Sequence, residues 1–192
     1  MGNFFGITGT PGTGKKTIAP LVASRLGLPC IGLYDQAVSS GLIRQGDNDA
    51  EVDTTILGRF ILKHVSGPAL VYGHLLPYVL GGKEFRRVVV LRCEPKTLKR
   101  RLLARGYPPE KAIENVEAEL IGVISTDSMT TFGGRKTAEF DTTTSRPGEA
   151  ARVVSEFLKG SGRPGSRIDW TLNYASASKL RSLLSGLTTG AA

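Results

Sequence analysis

The chain has 192 residues, 40% of them hydrophobic and 22% charged, ordinary proportions for a soluble protein of one globular domain. A formal net charge of +8 suits anionic partners such as nucleotides, RNA or acidic lipid, or serves solubility alone. No apolar stretch is long enough to span a membrane, and two cysteines make neither a disulfide framework nor a metal site.

In chain order, Phe4 to Thr8 is a short apolar run that stops at glycine and reads as a buried strand. After a glycine-rich loop, Lys15 to Leu26 places Ile18, Leu21, Val22 and Leu26 on one helical stripe, with Pro20 removing a backbone donor and Gly27 as C-cap. Leu28 to Leu33 reads as a second strand. Tyr34 to Asp53 is polar and glycine-punctuated, with acidic residues Asp47, Asp49, Glu51 and Asp53. Asp53 caps a helix from Thr54 to His64 that turns Ile56, Phe60 and Ile61 to one side. Ala69 to Tyr72 and Val88 to Leu91 have strand length and composition.

Pro95 sits at the first position of a helix that runs to about Ala104, with Leu98, Leu102 and Leu103 inward, and Gly106 ends it. Pro108 and Pro109 open another, to about Ile124, with Ile113, Val116, Leu120 and Val123 apolar. Thr137 to Asp141 is the last strand and Glu149 to Leu158 the last core helix. Strands alternating with helices predict an α/β fold, a parallel five-stranded sheet covered on both faces. Gly160 to Ser166 reads as a flexible linker, followed by a tail anchored by Trp170 with a helix from about Ser176 to Leu184. Domain limits follow: a core over residues 1–158, then linker and tail over 159–192. Cys30 and Cys93 read as reduced, mostly buried thiols. The opening MGNFFGITGT lacks the basic segment of a signal peptide, so a cytoplasmic protein is expected.

The run Gly9-Thr-Pro-Gly-Thr-Gly14-Lys15 fits GxxxxGK after a strand and before a helix. Its glycines let the backbone curl so that N–H groups point at phosphate oxygens, and the helix adds its positive N-terminus. Lys15 supplies a point charge for the β- and γ-phosphates of ATP. The residue after this lysine is ordinarily Ser or Thr, whose hydroxyl helps hold Mg²⁺. Here it is Lys16, and Thr17 lies about 100° further around the helix. Lys16 either replaces part of the metal's charge, repels the metal, or points to solvent.

Together, ITGTPGTGKKT (Ile7 to Thr17), VYGHLLPYV (Val71 to Val79), VVVLRCEPKTLKRRLLARGY (Val88 to Tyr107) and ENVEAEL (Glu114 to Leu120) resemble the adenylate kinase isoenzyme 6 type. These are small nucleoside-monophosphate (NMP) kinases of archaea and eukaryotes that also act in small-ribosomal-subunit maturation. The resemblance runs from about Phe4 to Leu158. It implies a P-loop kinase fold with an NMP-binding segment near residues 32–51 and a lid near 104–114. It implies that Gly12, Gly14, Lys15, Lys16 and Thr17 bind ATP phosphates, that Arg105 reaches the nucleotide from the lid, and that Arg146 lies near the adenine.

His74 falls in the family's Asp-x-His segment, where the aspartate position holds Tyr72. Lys15, Arg105 and His74 are therefore the expected catalytic residues. His74 either positions a water for hydrolysis or faces the core as a hydrogen-bonded histidine. No metal ligand is assigned. Mg²⁺ would be held by nucleotide and water, or by Asp35 or Asp53. The expected partners are ATP, AMP as preferred acceptor, a small-subunit ribosomal protein and its rRNA, and no membrane. Three functions stay open: an adenylate kinase with some ATPase activity, an ATPase switch in ribosome assembly, and a weakened nucleotide-binding module. The basic residues Lys96, Lys99, Arg100, Arg101, Arg105, Arg163, Arg167, Lys179 and Arg181 suit the second.

Overall fold

The computed structural model describes residues 2–43, 51–162, 165 and 167–184. Asp47, Asp49, Arg163 and residues 44–50 of the expected NMP segment lie outside them. Five parallel strands form one sheet in the order β2-β3-β1-β4-β5: β1 (Phe4–Thr8), β2 (Cys30–Gly32), β3 (Ala69–Tyr72), β4 (Phe85–Arg92) and β5 (Thr137–Asp141). β1 is central, so the glycine loop leaves the middle of the sheet's C-terminal edge, where open α/β sheets bind ligands.

Side chains alternate across the sheet because successive residues of a strand point to opposite faces. Phe4, Ala69, Val71, Phe85 and Val88 pack with Leu33, Leu57, Ile61, Leu76 and Phe132 on one face. These belong to α2 (Leu33–Ser39), α3 (Thr54–His64), α4 (Leu76–Val79) and α7 (Val123–Phe132). Ile7, Leu70, Val89 and Leu91 pack on the other face with Ile18, Val22, Ala151, Val154 and Phe157. Those come from α1 (Lys15–Leu26) and α8 (Pro147–Lys159). A third cluster, Cys93, Leu98, Leu102, Ala112, Val116 and Leu183, joins α5 (Pro95–Leu103), α6 (Pro109–Ile121) and the tail helix α9 (Ala177–Leu184).

Several local expectations change. The helix from Pro109 stops at Gly122, which adopts φ 71°, and α7 starts directly after it. The sequence of α7, VISTDSMTTF, has no apolar stripe; it buries Ser125, Ser128 and Phe132. Ser128 and Thr130 turn their hydroxyls back onto the carbonyls of Ile124 and Thr126, which removes the cost of burying or crowding them. β2 is shorter than expected because Leu33 already starts α2. The inward faces keep Ile18, Val22, Ile61, Leu98 and Leu102 as expected but change at their edges. Leu21, Ile56 and Leu103 are exposed, while Ala19 and Ala23, Leu57 and Gly58 take the contact positions in α1 and α3. Small residues let α1 lie close to α8 and α3 lie on Val79, whose carbonyl leaves no room for a Cβ at Gly58.

The described part of the tail is built into the body. Trp170 and Leu183 are buried, and a Cβ on Gly162 would stand 2.6 Å from the Phe157 nitrogen. A Cβ on Gly165 would collide with the Glu139 carbonyl. The glycines read as linker residues are thus placed for close approach at these two positions.

Candidate nucleotide site

The loop between β1 and α1 is shaped by Gly9, Gly12 and Gly14, with φ of 135°, 92° and 99°, values that L side chains rarely adopt. A Cβ on Gly12 would stand 2.6 Å from Leu98 Cδ1, so the loop also rests directly on α5. Gly14 is the N-cap of α1 and no side chain caps that helix, leaving its positive end for an anion. The loop is tied to its neighbours. Thr13 Oγ1 donates to the Thr10 carbonyl at 2.9 Å, and Thr142 Oγ1 donates to the Thr13 carbonyl at 2.8 Å. Thr8 Oγ1 donates to the Gly73 carbonyl at 2.8 Å, which links the root of the loop to the segment carrying His74.

Lys15 folds back under this loop. Its Nζ donates to the carbonyls of Gly9 at 2.6 Å and Thr10 at 2.9 Å. Burial pulls its pKa down to about 7; Glu119 opposes that shift, and the charges of Arg105 and Lys16 add to it. Lys15, Lys16 and Arg105 thus share one local field, a concentration of positive charge that a polyphosphate would relieve. Arg105 is exposed at the end of α5, just before Gly106 with φ 77°. It lines a recess with Gly12, Gly14, Thr17, Thr142 and Ser145. Arg146 caps α8 at the rim of that recess, between the lining residues Ser145 and Pro147.

His74 lies close enough to Lys15 to feel its charge. The residue keeps an exposed edge, but surrounding protein on its inner side and the Lys15 ammonium both lower its pKa, so the imidazole is neutral at pH 7. Lys16 points away from the loop: its Nζ stands over the Tyr34 ring of α2, 5.2 Å from the centroid.

The two positions expected to support a divalent cation offer an ammonium, Lys16, and a phenol, Tyr72, whose pKa is raised by burial and by Asp35. Neither fits Mg²⁺. Asp53 is committed to capping α3, its Oδ1 accepting from the Ile56 nitrogen at 2.9 Å. Asp35 is the carboxylate that stands beside Tyr72; both crowd Gly32. Among the described residues no three His, Cys, Asp or Glu side chains group as a metal site. The two cysteines are unpaired, and burial pushes the Cys93 thiol up to about 11.

The basic helix is partly consumed by structure. Arg101 Nη2 donates to the carbonyls of Thr142 and Thr143, both at 2.9 Å, and Lys99 Nζ donates to the Leu183 carbonyl at 2.6 Å. Lys96 and Arg100 remain on the exterior.

Sequence reasoning missed a buried polar cluster directly behind the loop. Glu119 Oε2 accepts from Thr10 Oγ1 at 2.6 Å. Its Oε1 accepts from Arg92 Nε at 2.8 Å, the Cys93 nitrogen at 3.0 Å and Trp170 Nε1 at 3.2 Å. Arg92 Nη1 also donates to Glu139 Oε1 at 2.9 Å, and Glu139 accepts from Ser125 and from the Ile168 nitrogen. The available signal was charge inside apolar runs: Arg92 ends VVVLR, and Glu119 lies three residues after Val116 on the inward face of α6.

A central strand, a glycine loop with its lysine, a free helix N-terminus and an arginine lining the recess define a P-loop nucleotide-binding protein of the kinase type. Solved structures of low identity share the fold. Shikimate kinase from Bacteroides thetaiotaomicron superposes with TM-score 0.54 at 16% identity, covering 81% of this chain and 98% of that one. A gluconokinase from Sinorhizobium meliloti superposes with TM-score 0.51 at 17% identity, covering 91% and 97%. Residues 6–122 match the family described as "AAA domain". The chain is 37% identical over 173 residues to "Putative adenylate kinase" of Pyrococcus abyssi, covering 88% of this chain and 91% of the relative. It is 34% identical over 170 residues to the protein of that name from Thermococcus onnurineus, with coverage of 88% and 91%. For that of Methanocaldococcus jannaschii the identity is 31% over 173 residues, covering 88% and 93%. The chain belongs to this adenylate kinase isoenzyme 6-type family. A match over 88% of the chain is longer than residues 1–158 can supply, so it reaches into the tail.

Proposed function

We propose that the chain is an ATP-dependent adenylate kinase, transferring the γ-phosphoryl group of ATP to AMP and giving two ADP. The observation that carries this reading is a recess lined by the glycine loop and Arg105, beside a Lys15 ammonium that feels the charge of Arg105 and is felt by His74. Phosphoryl transfer needs little covalent chemistry from the protein; positioning and charge do the work. The N–H groups of Gly12 to Thr17 would cradle the phosphates. Lys15 would exchange the Gly9 and Thr10 carbonyls for β- and γ-phosphate oxygens. Arg105 would swing in about Gly106 to meet charge spreading on the transferred group. The recess between Thr142, Ser145 and Pro147 would take the adenosine, with Arg146 at its rim. AMP would enter from the α2 side, the segment 32–51.

Mg²⁺ would arrive on the nucleotide, since Lys16 and Tyr72 offer it no ligand. The neutral imidazole of His74 could orient a water, which gives the site a slow ATPase activity as a side reaction. A purified chain incubated with Mg-ATP and each NMP, with Lys15→Ala as blank, tests this reading. ADP formed from AMP and lost in the variant is the expected outcome; no NDP from any acceptor would overturn it.

A second reading is favoured by Lys16 and Tyr72 at the metal-supporting positions and by the net charge of +8. Here ATP hydrolysis switches the grip of a cytoplasmic assembly factor on a small-subunit ribosomal protein and rRNA. It requires phosphate release without NDP, and RNA binding that weakens steeply with salt.

A further inference from the structure

We propose that Glu119 and Trp170 are positioning residues for the phosphate loop, so that the C-terminal tail is a working part of the nucleotide site. The inference rests on the nucleotide reading above. Thr10 is the loop residue whose carbonyl accepts from Lys15 Nζ at 2.9 Å, from Thr13 Oγ1 at 2.9 Å and from the Thr13 nitrogen at 3.2 Å. The orientation of that peptide therefore sets where Lys15 rests and how the loop curls. Its side chain has one hydrogen-bonded anchor, Glu119 Oε2 at 2.6 Å.

Glu119 is in turn fixed from its other oxygen by three donors: Arg92, the Cys93 nitrogen and the Trp170 indole. Glu119 is 1% exposed and Arg92 2%, so the carboxylate cannot borrow water in place of a lost donor. The tail reaches this cluster at a second point, because Arg92 Nη1 donates to the Ile168 carbonyl at 3.1 Å and the Ile168 nitrogen donates to Glu139.

An apolar route runs in parallel. Leu183 packs in one cluster with Leu98 and Leu102, the side chains that a Cβ on Gly12 would strike. Tyr174 donates to Glu94, the residue whose carboxylate caps α5 through the nitrogens of Lys96 and Thr97. The tail thus holds α5, whose C-terminal end leads into Arg105, and the loop residue Thr10 by separate contacts. When Lys15 leaves the Thr10 carbonyl for a phosphate, the strain on Thr10 passes through Glu119 to the indole.

Trp170 is the single tryptophan of the chain, so its emission reports this relay without labelling. The experiment titrates the full-length protein with ATP while following tryptophan emission, and measures ATP binding separately by equilibrium dialysis. The expected result is an emission change that saturates with the dialysis Kd, persists in Thr10→Ser, and is lost in Thr10→Val at ATP concentrations where dialysis shows the site filled. Trp170→Phe keeps an aromatic ring at the site but removes the N–H together with part of the ring system. It should weaken ATP binding about three- to tenfold, the range of one partly compensated hydrogen bond, in protein shown by circular dichroism to be folded. An emission that ignores bound ATP, or that responds equally in Thr10→Val, overturns the relay, as does a Trp170→Phe variant with the parent's Kd. Absence of ATP binding by dialysis in the parent overturns the nucleotide reading itself, and the relay with it.

Discussion

Filling the phosphate loop with ATP should change the protonation of Lys15. In the ligand-free chain this lysine has a pKa of about 7, chiefly because it is buried, with Arg105 and Lys16 adding repulsion against the attraction of Glu119. A bound polyphosphate reverses the balance and returns the group toward its ordinary value of 10.5. At pH 8 a group of pKa about 7 is protonated in about a tenth of free molecules, so ATP binding should take up about 0.9 proton. By linkage, ATP affinity should fall about tenfold for each pH unit above 7.

The sign for folding follows from the same shift. The folded pKa lies below the unfolded one, so between about 7 and 10.5 the unfolded chain binds more protons, and this group makes stability rise with pH there. Calorimetric titration with ATP at pH 8, in two buffers of different ionisation enthalpy, reads the proton uptake directly. ATP binding with no proton uptake, or with the same uptake in Lys15→Met, would refute the assignment of Lys15 as the cation that meets the phosphates.

Three further outcomes are expected. Gly12→Ala places a side chain at φ 92° and 2.6 Å from Leu98 Cδ1, so it should cost at least about 1–2 kcal/mol in a urea titration and weaken ATP binding as the loop shifts. Arg105→Ala should leave the melting temperature unchanged, because the side chain is exposed, while lowering kcat for ADP formation by about 10²-fold or more. A wild-type rate in that variant would remove Arg105 from the site. Lys16→Thr restores the hydroxyl usual after the loop lysine and removes a cation, so ATP affinity should become more dependent on Mg²⁺ than in the parent. Equal affinities with Mg²⁺ and with a chelator in that variant would count against Lys16 as a substitute charge.

Much of the architecture was legible because it depends on short-range rules. Asp53 before Thr54 and Pro95 after Glu94 start helices, Gly27 ends one, and the runs at Phe4, Ala69 and Thr137 have strand length and no breaker. The glycine loop was legible because only glycine accepts the φ values of Gly9, Gly12 and Gly14 without strain. α7 was not, because a helix of Ser and Thr carries no apolar period and persists through tertiary burial, its buried Ser128 hydroxyl satisfied by the Ile124 carbonyl.

The sequence by itself determined the phosphate loop, its lysine and the alternation that makes a parallel sheet. Only the tertiary structure decided what stands behind that loop. Thr10, Arg92, Glu119, Glu139 and Trp170 are far apart in the chain; Trp170 reads only as an anchor of the tail, and the others as ordinary polar residues. Their meeting depends on strand order and on the path of the tail. Burial then gives it force, since charges removed from water must find partners in one another.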